Sequence, residues 1–316
     1  MTTQPSSQPT EAKPSRMMLQ PETRPISQDQ LVAEVKGIYD GLVMVETKCI
    51  EVGNAQAHNT NNGHANTLNN EQWQALIALH RTLLHEHHDF FLASQHPSAS
   101  VPLRRLATKY AMPARMWRHG IRSSLEVLRH RELLRHRPPP SSEHIATFLY
   151  LAYGIMLLLY ETVPTSEDTW TECLGDLARY RMAIDDDIRD REVGTSVSRH
   201  WYSKASDKTP TTGRLYHHLG TLVRPHSLQQ LYYYAKSLCV PVPFASARES
   251  IATLFDPVLP STSSQRLSTI DAAFVRVHGI LFSGKSEDRL SDTMDEFLEL
   301  LDKRISRVMK QWLDSG

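Results

Sequence analysis

The stretch from Leu174 to Gly220 decides the fold. It contains LGDLARY (174–180), then an acidic segment, then WYSKASDKTPTTGRLYHHLG (201–220). The residues whose spacing matters in the second piece are Tyr202, Ala205, Pro210, Tyr216, Leu219 and Gly220. An aromatic residue and a small alanine on one helix face let a neighbouring helix pack closely, and a proline then ends the helix because it has no N–H to donate. This spacing is typical of the second half of one tetratricopeptide-type helical hairpin running into the first half of the next.

The remainder of the chain carries the same helical period. A helix beginning near Gln28 places apolar residues on one stripe, namely Leu31, Val35, Ile38, Leu42 and Val45. Further helices are predicted from about Glu71 past Phe91 and after Pro113, and the last helix has an apolar stripe made of Leu290, Met294, Phe297, Leu301, Ile305, Val308 and Trp312. Because alternation of β-branched residues is scarce, the sequence predicts an all-α protein, an α–α superhelix of packed helices.

Three segments are predicted not to form helix. Residues 1–26 are rich in Pro, Ser, Thr and Gln and are expected to be a disordered tail. The Asn/His/Gly-rich stretch Asn54–Asn70 is expected to be a loop. The acidic segment MAIDDDIRDREVG (182–194) is expected to be a solvated loop between the two halves of a hairpin.

The composition limits the classes of function. Lysine plus arginine number 35 and aspartate plus glutamate number 35, so the chain has no overall basic field that would favour nucleic acid. The three cysteines lie far apart without CxxC spacing, which indicates reduced thiols and a cytosolic or nuclear protein. The apolar run 145–160 is shorter than the roughly 20 residues of a membrane span, so it is interpreted as a buried core helix, and no membrane partner is expected.

No enzyme motif is found. The tetrad His85, Glu86, His87 and His88 is followed by Asp89, so the HExxH spacing of zinc proteases fails, and a surface cluster is the preferred interpretation. There is no Gly-rich phosphate loop, no GxSxG and no convincing nucleophile–base pair. We therefore expect a protein that is not an enzyme, with no catalytic residue, no cofactor and no metal.

Four segments together resemble one family. They are GDLARYR (175–181), WYSKASDKTPTTGRLYHHLG (201–220), YYYAKSLCVPVPFASARESIATLF (232–255) and HGILFSGK (278–285). They are similar to the ever-shorter-telomeres telomerase subunits and the SMG adaptors of nonsense-mediated mRNA decay, over residues 30–315, and the chain looks like a divergent fungal-type member. It departs from the family pattern in the acidic segment and in having His217 and His218 where the family has Asn-Gln.

The resemblance implies an architecture and a role. Residues 27–198 would form a 14-3-3-like helical region, and residues 199–316 would form the tetratricopeptide-like region that the family labels an Est-type DNA/RNA-binding domain. The protein would be an adaptor in nonsense-mediated mRNA decay or telomere maintenance, in the nucleus or the cytoplasm. Its partner would be a phosphorylated protein, helicase-like or telomerase-associated.

A phosphate site needs fixed cationic donors from different helices, and arginine suits it because its fork can bind two phosphate oxygens. The helix after Pro113 carries Arg115, Arg118, Arg122 and Arg129, of which Arg122 and Arg129 lie two turns apart and Arg115 one step back on the same line. In a 14-3-3-like fold such a pair faces an Arg-Tyr pair on a later helix. The resemblance therefore implies a phosphopeptide site of Arg122, Arg129, Arg179 and Tyr180, with Arg115 and Arg118 as auxiliary basic contacts.

Three alternatives stay open at this stage. Arg179 could simply pair with Asp176 one turn earlier, and the arginine stripe could be a solvated face. The basic bias of residues 103–137, interrupted by Trp117 and His119, could instead track RNA or single-stranded DNA, which would make the protein a telomerase-associated nucleic-acid binder. A third hypothesis is a degenerate paralogue that keeps the scaffold without the site.

Overall fold

The computed structural model describes residues 26–61, 69–126, 141–185, 187–259 and 269–314. Apart from Ile26, the predicted tail 1–26 lies outside these residues, and so does Arg129. The described residues form helices of very different length, listed here in chain order: α1 Gln28–Asn61, α2 Asn70–Ser94, α3 Val101–Arg104, α4 Leu106–Lys109, α5 Met112–Arg115, α6 Ser141–Thr162, α7 Glu167–Ile184, α8 Ile188–Lys208, α9 Gly213–Leu222, α10 Ser227–Cys239, α11 Ala247–Phe255, α12 Thr269–Ser283 and α13 Leu290–Asp314. A π-helical segment, Met116–Arg122, continues directly from α5.

The predicted all-α fold is confirmed. Within the described ranges no strand is present, and the one β-type contact is a single bridge between Thr212 and Val242. Each long helix packs against the next along the chain: α1 on α2, α2 on α6, then α6 to α13 in succession. Where the connection is short, as between α7 and α8 or between α9 and α10, the pair is an antiparallel hairpin, and the described helices together build a helical array.

The largest core lies among α1, α2, α6 and α7. On α1 the predicted stripe is confirmed, with Leu31, Val35 and Leu42 buried in this core. The expected loop Asn54–Asn70 is wrong in its first part, because α1 remains helical to Asn61, and residues 62–68 lie outside the described residues. Helix α2 starts with a capping box, in which the Asn69 side chain accepts from the Gln72 N–H at 2.8 Å.

Helix α6 contains the apolar run. One helix of the described chain, Glu143–Thr162, is long and apolar enough to cross a membrane by length and composition. Its residues Phe148, Ala152, Met156 and Leu159 are completely buried in the main core. This packing agrees with the interpretation of α6 as a core helix.

The hairpin of α7 and α8 depends on the absence of a side chain at Gly175. A methyl group there would lie 2.8 Å from the Tyr202 ring, so the ring of α8 packs directly on the α7 backbone. Ser198 adds a hydrogen bond to the Gly175 carbonyl at 2.8 Å. Close packing of this kind is what the spacing around Tyr202 and Ala205 predicts, and both residues are buried.

The acidic segment 182–194 is not the solvated loop that its composition suggests. Helix α7 continues to Ile184 and α8 begins at Ile188, so the segment forms the tip of one hairpin and extends both of its helices. Asp187 caps α8 by accepting from the Arg189 N–H at 2.7 Å, and Asp185 pairs with Arg181 at 2.9 Å. The carboxylates favour helix here because they occupy capping and i,i+4 positions.

The next hairpin, formed by α9 and α10, also packs a tyrosine ring directly on a glycine. A methyl group on Gly220 would lie 2.6 Å from the Tyr234 ring of α10. The Tyr216 hydroxyl donates to the Pro210 carbonyl at 3.0 Å, which ties α9 to the turn that ends α8. The predicted succession of two hairpins between residues 174 and 239 is therefore the arrangement found.

Candidate anion-binding groove

A groove separates the segment around Trp117 from α7 and from the α8–α9 turn. It encloses a cavity of about 600 Å³. Trp117 lines one wall, Glu172 and Asp176 of α7 line the opposite wall, and Arg214 of α9 lies at the end. The predicted residues Arg122, Arg179 and Tyr180 do not line this cavity. They lie on the same two elements, since α7 carries Arg179 and Tyr180 and the segment with Trp117 carries Arg122.

Arg179 is held in a network rather than in a simple pair. Its Nη2 donates to Asp176 Oδ1 at 3.0 Å, and its Nε donates to the Tyr202 hydroxyl at 3.3 Å. The Tyr202 hydroxyl in turn donates to the same Asp176 oxygen at 2.6 Å. The alternative in which Arg179 pairs with Asp176 is therefore found in the structure. The pair is part of a three-residue network that also includes Tyr202 of α8.

The network sets both the charge and the orientation of Arg179. Although burial acts against it, the neighbouring Tyr202 and Asp176 raise the pKa of Arg179 above its ordinary value. The Arg179 guanidinium carbon lies 5.5 Å from the centre of the Tyr180 ring, a cation–π distance. Asp176 and Tyr202 engage Nε and Nη2, so Nη1 is the guanidinium nitrogen that neither of them uses.

Arg122 approaches the same region from the opposite wall. Its side chain is 60% exposed, and its Nε donates to Glu126 Oε1 at 2.7 Å within the same helix. This hydrogen bond is the main cause of its raised pKa, and the nearby Tyr180 and Asp176 raise that pKa further. Arg122 is thus within electrostatic reach of Tyr180 and the Arg179 network.

The predicted line of arginines is broken by the π-helical segment. A π-helix winds less tightly than an α-helix, so residues seven positions apart no longer share a face. Arg115 points to α1, where its Nε donates to Glu46 at 3.2 Å and its Nη1 to the Tyr39 hydroxyl at 3.3 Å. Arg118 is exposed. Arg115 is therefore engaged away from Arg122, and Arg129 lies outside the described residues.

Three residues around the Arg179 network escaped prediction as functional residues. Tyr202 was expected only as a packing residue, yet its hydroxyl links Asp176 to Arg179. His218 stacks on the Tyr202 ring, with ring centres 4.8 Å apart and planes 14° apart. His217 bonds to Ser250 at 2.8 Å through Nε2. The signal that could have found the histidines was their departure from the family's Asn-Gln.

The interpretation of residues 85–88 as a surface cluster is wrong for two of its members. His87 is completely buried and His88 is 9% exposed. Burial is the main cause that lowers the pKa of His87 to about 4. Among the described residues, no group of three or more His, Cys, Asp or Glu is placed to hold a metal ion.

The basic bias of residues 103–137 does not form one continuous cationic stripe in its described part. Arg104 donates to the Pro97 carbonyl at 2.6 Å, Arg115 pairs with the buried Glu46, and Arg122 pairs with Glu126. Trp117 is half-buried and packs against the main core. These intramolecular contacts occupy guanidinium N–H donors that the phosphates of a nucleic acid would need.

Comparison with known proteins assigns the C-terminal region. Residues 198–313 match the sequence model of the Est1 DNA/RNA binding domain. This region is therefore similar to the Est1 family, and we call residues 198–313 the Est1-type domain. The Est1-type domain thus begins within α8 and includes α9 to α13. The predicted domain boundary between residues 198 and 199 stays a prediction, because α8 continues through it without a break.

Individual relatives of this chain come from both branches of the family that its sequence resembles. It is 35% identical over 86 residues, 27% of its length, to the telomerase-binding protein EST1A of Danio rerio. It is 30% identical over 132 residues, 40% of its length, to the nonsense-mediated mRNA decay factor SMG7 of Danio rerio, and 36% identical over 87 residues, 26% of its length, to SMG7 of Arabidopsis thaliana. These alignments cover 5%, 10% and 8% of the three relatives, so the chain matches only a small part of each.

The Est1-type domain has a second surface of interest on α10. Tyr232 is 57% exposed and lies with Arg199 and Tyr233 around a cavity of about 380 Å³. The Lys236 ammonium is 5.7 Å from the centre of the Tyr232 ring and 4.2 Å from that of Tyr216. An exposed aromatic ring between cationic groups is an arrangement on which a nucleobase can stack.

Proposed function

We propose that this protein is a non-enzymatic adaptor that binds a phosphorylated segment of a partner protein, in nonsense-mediated mRNA decay or in telomere maintenance. Arg179, Tyr180 and Arg122 would receive the phosphate in the groove between α7 and the helix that carries Arg122. Arg129 is a further candidate donor. The relatives named above support the choice of processes, and the proximity of Arg122 to the Arg179 network supports the choice of ligand.

One observation carries the proposal. Arg179 is orientated on α7 by Asp176 and Tyr202, while Arg122, close enough to interact electrostatically with Tyr180 and Asp176, remains 60% exposed. A positioned guanidinium loses less side-chain entropy on binding than a free one, and a second, mobile arginine can close on the anion. Phosphate oxygens suit both, since a phosphoserine brings close to two negative charges and three acceptors.

The structure also changes which residue gives the cleanest test. Arg179 takes part in a partly buried network, so reversing its charge would place two carboxylates side by side and would disturb the fold. Arg122 is exposed, and its ion-pair partner among the described residues is Glu126 on the same helix, a contact worth about 0.3–0.5 kcal/mol. Arg122→Glu therefore separates binding from stability.

We expect the wild type to bind a phosphoserine peptide at least tenfold more tightly than the unphosphorylated peptide, because one charge-assisted hydrogen bond contributes about 1.5–3 kcal/mol. Arg122→Glu should remove most of this preference, and Arg105→Glu should keep it. Because Arg105 is exposed and lies outside the groove, Arg105→Glu makes the same change in charge away from the proposed site. Calorimetric titration of the peptide pair against the three proteins measures the effect. Equal affinity of the wild type for both peptides would contradict the proposal.

A second candidate function is direct binding of single-stranded RNA or DNA by the Est1-type domain. The observation that favours it is the exposed Tyr232 beside Lys236 and Arg199. Stacking of a base on an aromatic side chain contributes about 1–3 kcal/mol, and binding to the phosphate backbone weakens steeply with salt.

On this second hypothesis, Tyr232→Ala should weaken binding of a fluorescent oligonucleotide by roughly five- to a hundredfold, the equivalent of one stacked base. Tyr150→Ala is the matched control, because Tyr150 is similarly exposed, at 65%, but lies on α6 outside the matched region. Fluorescence anisotropy at two salt concentrations gives the measurement. Unchanged affinity in Tyr232→Ala would exclude this surface.

A further inference from the structure

Helix α13 extends far beyond the helix that supports it. It has 25 residues, about 37 Å at the usual rise, whereas α12 has 15 residues, about 22 Å. Contacts with α12 are made by the first half of α13: Phe297 lies 5.3 Å from Phe274 between ring centres, and Glu296 pairs with Arg276 at 2.9 Å. Every residue from Asp302 to Asp314 is exposed.

The extended helix carries a regular apolar seam. The seam residues, spaced alternately four and three positions apart, are Met294, Leu298, Leu301, Ile305, Val308 and Trp312. Leu298 and Ile305 are each 52% exposed and Val308 is 49% exposed. This spacing is the a/d heptad of a coiled coil, in which each apolar residue needs a hole on a facing helix.

The seam and the contact with α12 lie on different faces. Thr293 is buried and both Phe297 and Leu300 are half-buried, which places α12 roughly a quarter-turn away from the seam. Large apolar side chains exposed in a continuous row are rare on a monomer's surface and mark a site of protein contact.

Charge along α13 is divided into two opposite halves. The first half carries only acids, namely Asp292, Asp295, Glu296, Glu299 and Asp302. The second half carries Lys303, Arg304, Arg307 and Lys310, with a single acid at Asp314. A helix with this division attracts an antiparallel copy of itself, because each acidic half then lies beside a basic half, and a parallel copy would bring like charges together. The helix dipoles favour the same arrangement.

We propose that α13 is a dimerisation helix whose partner is a second copy of this chain, bound antiparallel through the seam. In this arrangement Leu298 faces the partner's Val308 and Leu301 faces the partner's Ile305. Met294 faces the partner's Trp312, so all six seam residues find an apolar residue opposite. A twofold interface requires such a self-complementary surface.

The oligomeric state tests the proposal. Multi-angle light scattering of the full chain after gel filtration should give twice the mass of the monomer. Ile305→Glu should give the monomer mass, and Ser306→Glu should keep the dimer, because Ser306 lies next to the seam but outside it and receives the same charge. Circular dichroism should show equal helix content in all three, since the Ile305 side chain is 52% exposed. A monomeric wild type, or a dimeric Ile305→Glu, would overturn the proposal.

Cysteine cross-linking tests the orientation. With exposed Cys239 replaced by serine, copies carrying Leu298→Cys and copies carrying Val308→Cys should form a disulfide with each other when mixed and oxidised. Leu298→Cys alone should not cross-link, because only a parallel pair brings residue 298 next to its own copy. Efficient cross-linking of Leu298→Cys alone would overturn the antiparallel arrangement.

Discussion

Gly213→Ala is expected to cause the largest loss of stability that a single added methyl group can produce in the Est1-type domain. Gly213 begins α9 and is buried against the end of α10 and the turn after it. An added methyl would lie 2.8 Å from the Phe244 nitrogen and 2.9 Å from the Val242 oxygen, and it would also collide with the Ser237 carbonyl. All three are backbone atoms, so no side-chain rotation can relieve the overlap.

The surrounding hydrogen bonds hold this crossing in place. The Gly213 N–H donates to the Val242 carbonyl at 2.9 Å, and the Ser237 hydroxyl donates to the Gly213 carbonyl at 2.7 Å. Separating the segments to admit a methyl would break both bonds. We expect a loss of free energy of unfolding at or above the upper end of the about 1–3 kcal/mol that overpacking usually costs. Urea denaturation followed by circular dichroism measures it.

Gly154→Ala is the matched control. It makes the same chemical change inside α6, where no atom lies within 4 Å of the added methyl. There the substitution should stabilise by roughly 0.5–1 kcal/mol, because alanine is the better helix former. Equal stability of the two variants would show that the crossing at Gly213 is not as tight as described.

Acidification is expected to destabilise the protein strongly between about pH 6.5 and pH 4. Burial lowers the pKa of both His87 and His218 to about 4, from an ordinary value of 6.5. Burial also lowers the pKa of His80, His119 and His217. In the unfolded chain these imidazoles bind protons near pH 6.5, whereas in the folded protein they bind protons only at a lower pH.

The sign of the effect follows from this difference. Because the folded-state pKa is depressed, the stabilising contribution is complete above pH 6.5 and is lost as the pH falls towards 4. For His87 and His218 this stabilising contribution to the free energy of unfolding amounts to roughly 3 kcal/mol each. Glu172 acts in the opposite sense, because burial raises its pKa, but it is one group against five. The melting temperature should therefore fall continuously from pH 7.5 to pH 4.5.

His218→Phe isolates one contribution. The phenyl ring can keep the stack on Tyr202 but cannot bind a proton, so the melting temperature of this variant should depend less on pH than that of the wild type. His85→Phe is the control, since it makes the same chemical change at an exposed position of α2. A melting temperature that stays constant from pH 7.5 to pH 4.5 would contradict the assigned burial.

Some features were decided by the sequence alone because they depend on neighbours along the chain. The stripe of Leu31, Val35 and Leu42 on α1 and the packing of Tyr202 in its hairpin follow from the helical period and from the spacing of small and aromatic residues. The heptad on α13 is likewise local. Its exposure is not, since the same stripe would suit a buried helix, and the shorter α12 supports the first half of α13.

The candidate site depended on contacts between distant positions. Arg115 and Arg122 do not lie on one face, because the π-helical segment between them changes their relative orientation. The Arg115 guanidinium is also bound by Glu46, which lies 69 residues away in the chain. Arg179 could be seen in sequence only beside Asp176. Tyr202, 23 residues further on, completes the network through a hydroxyl whose position only the packing of α8 on α7 determines. Helical period and turn chemistry are properties of residues close together in the chain, so the sequence by itself determined the helical array. The direction of each charged side chain depends on which partner the folded chain brings within hydrogen-bonding distance. Only the tertiary structure decided those partners.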